Sequence, residues 1–82
     1  MKVYVLNVIN GSGIHTTAFA TLEKALTSAR NTFADEAQGY YKNLGIENDA
    51  DLDEEVRGLK ENGYAFPEFT ADEYYLKEVE VH

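Results

Sequence analysis

The chain has 82 residues, a formal net charge of −8 and no cysteine, which excludes disulfides and any structural metal held by a Cys/His set. A domain of this length holds one hydrophobic core and buries little more than about 60% of its unfolded surface, so its stability must come from packing or from a partner chain. No apolar run approaches the roughly 18 residues of a membrane span, and a single cytoplasmic domain, 1–82, is expected.

The opening Met1-Lys2-Val3-Tyr4-Val5-Leu6-Asn7-Val8-Ile9 is too short for a signal h-region and is followed by no cleavage site. Val3, Val5 and Ile9 alternate with Tyr4, Leu6 and Val8, so both sides of the segment are apolar. That pattern predicts a central strand with neighbours on each side. Asn10-Gly11-Ser12-Gly13 supplies hairpin chemistry, and the β-branched, alternating Ile14-His15-Thr16-Thr17-Ala18-Phe19-Ala20 is expected to return antiparallel. Thr21 is a good N-cap. After it Leu22, Ala25, Leu26, Ala29, Phe33, Ala37, Tyr40 and Leu44 recur at steps of three and four. They predict a helix of roughly 23 residues, about 34 Å long, closed by Gly45 and covering one face of the sheet.

Asp51-Leu52-Asp53-Glu54 has the form of a capping box, with Glu54 reaching back to the cap. Leu52, Val56 and Leu59 then make a narrow apolar stripe, predicting a shorter helix that ends near Asn62-Gly63. Tyr64-Ala65-Phe66-Pro67-Glu68-Phe69 reads as an aromatic loop held by the only proline, and Tyr74 to Val81 as the last strand. The expected fold is α+β in the order β-β-α-α-β. Its small antiparallel three-stranded sheet, order 2-1-3, carries the long and the short helix on one face.

Charge is divided unevenly along this order. Residues 1 to 46 carry Lys2, Lys24, Arg30 and Lys42 against Glu23, Asp35 and Glu36, a net of +1. Residues 47 to 82 carry twelve carboxylates against Arg57, Lys60 and Lys77, a net of −9. The asymmetry argues against direct binding of nucleic acid and for a basic protein partner, or for solubility alone.

Motifs that could carry chemistry fail in their details. Gly11-Ser12-Gly13 precedes a strand and lacks a Gly-Lys-Ser/Thr ending, so a hairpin is favoured over a phosphate loop. Asp49, Asp51 and Asp53 match the first three ligand positions of a calcium loop, but Glu54 replaces its glycine and Lys60 its bidentate glutamate. His15 has no second histidine in reach, His82 ends the sequence, and Ser12 and Ser28 are expected to lack a base partner. No catalytic residue, metal site or cofactor is expected, and the chain is read as a non-enzyme.

What remains is a contact surface. Tyr64, Phe66 and Tyr74 or Tyr75 are expected to meet a partner, since tyrosine favours places where one end of a ring is dry and the other wet. Glu61, Glu68, Asp72 and Glu73 frame them, and Glu47, Asp49, Asp51, Asp53, Glu54 and Glu55 extend the negative field. In character the opening Met1-Lys2-Val3-Tyr4-Val5-Leu6 strand, the Leu22–Leu44 helix and the acidic-aromatic half from Glu47 to Glu80 resemble small inhibitors of host defence nucleases. These are the anti-CRISPR and antirestriction proteins carried by phages and mobile elements. The resemblance implies a protein in the host cytoplasm that binds a host nuclease or CRISPR effector, mimicking nucleic acid with its acidic surface. The alternative is a structural or assembly module that homodimerises through a sheet edge or the aromatic loop.

Overall fold

The computed structural model describes residues 1–82. Strand β1 (Lys2–Asn10) turns at Gly11-Ser12 into β2 (Gly13–Phe19), then come helices α1 (Leu22–Leu44) and α2 (Leu52–Asn62). A two-residue strand β3 (Tyr64–Ala65) and the last strand β4 (Glu73–Glu80) complete the chain. All pairings are antiparallel, in the order β2-β1-β4-β3. The expected 2-1-3 order therefore stands for the three long strands. The fourth strand is new, because the start of the aromatic loop pairs Tyr64 with Tyr75 and Ala65 with Tyr74.

Local chemistry explains each boundary. Asn10 Oδ1 accepts from Ser12 N at 2.9 Å and from Ser12 Oγ at 2.7 Å, and Gly13 at φ 121° takes the one positive φ of the turn. Thr21 caps α1 by accepting from Lys24 N at 3.2 Å, and Gly45 at φ 70° closes it by donating to Lys42 O. Asp51 caps α2 by accepting from Glu54 N at 3.1 Å. The reciprocal half of the expected capping box is absent, since the Glu54 carboxylate turns to Arg57 instead. Gly63 at φ 82° ends α2, and its carbonyl accepts from Leu76 N at 2.8 Å, tying the helix end to β4.

Both helices lie on one face of the sheet. Ala25, Ala29, Phe33, Ala37 and Tyr41 are the buried line of α1, and its small residues let the helix approach closely. Phe33 sits at the centre, edge-on to Tyr74 at 4.7 Å and to Phe69 at 6.1 Å. Leu6, Leu59 and Ala65 complete the buried cluster, with Val8, Phe19, Leu26, Val56 and Leu76 packed on it. The expected stripe is corrected at its end, where Tyr41 is buried and Tyr40 and Leu44 are exposed. Four-residue steps advance about 40° around a helix, so the buried line winds away from the sheet toward Glu68 and Phe69. Only 11 of 82 residues are fully buried, which makes the core thin. No helix is long and apolar enough to cross a membrane.

Candidate functional site

Four segments meet to form an acidic cleft. The capped end of α1 brings Tyr41, the 46–51 connection brings Asp49 and Asp51, and Glu55 follows one helical turn after the Asp51 cap. The loop after β3 adds Phe66, Glu68 and Phe69, and these residues with Ala50 line a cleft of about 400 Å³. Tyr41 Oη donates to Glu68 Oε1 at 3.3 Å. Hydrogen bonding to Asp49, burial, and the fields of Asp49 and Glu68 push the tyrosine up to about 12. Glu55 is held above the usual carboxylate range, first by burial and then by the negative charges of Glu54, Glu68 and Asp51. Carboxylates crowded in this way favour an incoming cation.

The other acidic residues separate into different settings. Asp53 pairs with Arg30 of α1 at 3.2 Å, Glu54 with Arg57, Glu78 with Lys2 at 3.7 Å, and Glu80 with the N-terminal amine at 3.3 Å. Glu47 and Glu61 are exposed on the 46–51 connection and at the end of α2, whereas Asp72 is half-buried before β4. Asp49, Asp51 and Asp53 thus serve a tyrosine, a helix cap and an arginine respectively. One expected contact residue belongs elsewhere: Tyr74 is wholly buried, donating to Glu36 Oε1 at 2.6 Å. Its residue number places it on the helix-covered face, while its neighbour Tyr75 takes the opposite one.

That opposite face bears no helix. Register places on it Ala18, Val5 and Lys77 in one row, then Thr16, Asn7, Tyr75 and Tyr64, then Ile14, Ile9 and Glu73, with Val3 and Val79 beyond the first row. None of these residues joins the core cluster. Ile14 is 67% exposed and Phe66 56%. Tyr64 stacks on Phe66 at 5.2 Å, and Phe66 meets Tyr75 edge-on at 5.8 Å. Tyr75 Oη donates to Glu73 Oε1 at 2.7 Å, which raises the tyrosine above its ordinary value. Phe66 belongs to both regions, touching the acidic cleft and the open sheet face. The apolar residues on both sides of β1 accompany a central strand, flanked by β2 and β4, and on this side they have no helix over them.

A second correction concerns Ser12, whose Oγ lies 3.2 Å from His15 Nε2. The Ser12 hydroxyl also donates to Asn10 Oδ1 at 2.7 Å, so Asn10, Ser12 and His15 form one hydrogen-bonded group at the hairpin turn. The Ser12–His15 pair lies within hydrogen-bond reach on an exposed turn, and the ring's hydrogen-bond partner is Ser12 Oγ. No protein-family model matches the chain, and neither a curated protein nor a solved structure matches it.

Proposed function

We propose that the protein is a non-enzymatic inhibitor that binds a basic surface of a host nucleic-acid-processing defence complex, in the manner of anti-CRISPR or antirestriction proteins. One observation carries the reading: Asp49, Asp51, Glu55 and Glu68 crowd around Tyr41, with Phe66 and Phe69 on the same wall. A guanidinium entering the cleft would find carboxylates for its fork and an aromatic face beside them. Glu55 is held high first by burial and then by the charges of Glu54, Glu68 and Asp51, and a cation would offset the second of these. The carboxylates here have no basic partner among the chain's ion pairs, unlike Asp53, Glu54, Glu78 and Glu80. In a groove lined by arginine and lysine such a patch takes the place of nucleic-acid phosphate. Binding is then competitive with nucleic acid, and its on-rate falls as salt is added.

The test is capture of purified CRISPR and restriction effector complexes by the protein and by the triple variant Asp49→Asn, Glu55→Gln, Glu68→Gln. These substitutions remove charge, keep shape and leave the Asp51 cap in place. The expected outcome is capture of at least one effector, competed by its nucleic acid and weakened roughly tenfold or more in the variant. Equal capture by a variant whose circular dichroism is unchanged would refute the acidic mode of binding. Failure to capture any effector would refute the inhibitor reading itself.

A further inference from the structure

We infer that the open sheet face is the contact between two copies of this chain, packed sheet on sheet about a two-fold axis at the row Thr16–Asn7–Tyr75. The inference rests on strand register and is independent of the acidic cleft. Let the axis lie between the two sheets, perpendicular to the strands. Each strand then faces its own counterpart running the other way, so positions two residues to either side of the central row exchange. Val5 meets Ile9 of the second copy, and Ala18 meets Ile14, a small residue opposite a large one. On β4, Lys77 meets Glu73 of the second copy, and by symmetry the reverse pair forms as well. A single two-fold operation therefore matches apolar with apolar and cation with carboxylate, as an isologous interface requires.

The two hydroxyls of the central row are already paired. Thr16 Oγ1 donates to Asn7 Oδ1 at 2.6 Å and Tyr75 Oη to Glu73 at 2.7 Å, so these polar groups enter the contact already bonded. Charge favours the same face. The chain carries −8 overall, yet the strand positions directed to this side include one lysine and one glutamate, so two copies approach here with no excess of like charge.

Area is sufficient too. The three long strands have 7 to 9 residues, and at about 3.3 Å per residue and about 4.8 Å spacing they project roughly 400 Å². The Tyr64–Phe66 platform and the relief of the side chains enlarge that, so two copies bury on the order of 1,000 Å², the threshold of a specific interface.

The experiment is sedimentation equilibrium on the full chain, with Glu73→Lys, Lys77→Glu and an equimolar mixture of the two variants. The wild type is expected as a dimer at tens of micromolar. Each single variant sets like charges face to face, and dimer dissociation is expected to rise roughly tenfold or more. In the mixture each introduced lysine faces a glutamate and each introduced glutamate a lysine, so a mixed dimer is expected to return. Both positions are exposed, and a thermal melt of each variant confirms folding. A wild-type monomer at 100 micromolar, or a mixture that stays monomeric, would overturn the inference. So would a dimer indifferent to both substitutions, which would place the contact elsewhere, at a sheet edge or the aromatic loop.

Discussion

The two faces of the sheet are built from alternate residues of the same strands and are similar in apolar content, yet they live in different surroundings. Leu6, Val8, Leu76 and Tyr74 lie under Phe33 and the alanines of α1, whereas Val5, Ile9, Val79 and Tyr75 have no helix over them and meet only neighbours on their own face, Phe66 among them. An apolar side chain contributes in proportion to the surface it removes from water. The covered face therefore stabilises the single chain, and the open face holds its contribution in reserve for whatever comes to lie on it. This division explains how a chain with so few buried residues can still be rich in apolar ones.

Substitutions matched across the two faces sharpen the contrast. Phe33→Ala removes the ring at the centre of the covered face and is expected to cost about 3–5 kcal/mol in denaturant unfolding. Ile14→Thr on the open face is expected to change the stability of the dilute monomer by less than about 0.5 kcal/mol. A comparable loss from both would dissolve the distinction. An intermediate effect is expected where α2 is fastened to the sheet. A β-carbon at Gly63 would stand 3.4 Å from Leu76 O, in a backbone conformation at φ 82° that L-residues avoid. Gly63→Ala is expected to cost about 1–2 kcal/mol and to lower the melting temperature accordingly.

A pH dependence also separates the regions. Tyr41 moves from an ordinary 10.0 to about 12, held by Asp49, burial and Glu68, and Tyr74 is raised further by burial and Glu36. A raised folded value means the unfolded tyrosine loses its proton first. The stabilisation is complete below pH 10 and is lost as pH rises from 10 toward 12. An absorbance titration is expected to show Tyr41 and Tyr74 ionising above the ordinary tyrosine value, and Tyr41→Phe to flatten part of the alkaline loss of stability. Ordinary ionisation of both in the folded protein would mean that the covered side and the acidic cleft are open to water.

Much of this architecture was legible in local chemistry. Thr21 and Gly45 bounded α1, Asp51 and Gly63 bounded α2, and Asn10 to Gly13 formed the hairpin, because caps and turns depend on residues a few positions apart. β3 escaped notice because two residues carry no period, and they become a strand only by pairing with β4. Tyr74 and Tyr75 exchanged roles for a related reason: adjacent residues on a strand point to opposite faces, so a shift of one position decides between core and surface. The acidic cleft was legible as a count of carboxylates. Its membership was not, since Asp49, Glu55 and Glu68 meet only where four segments come together at Tyr41.

Composition and spacing by themselves determined that this chain folds as an α+β domain of two helices on an antiparallel sheet, with its negative charge in the second half. Those properties follow from periodicity, capping and charge, which act along the chain. Tertiary structure alone decided which carboxylates stand together, which are neutralised by Arg30, Arg57, Lys2 and the N-terminal amine, and which apolar face remains open. These depend on distances between residues remote in sequence, and both burial and Coulomb forces act through space.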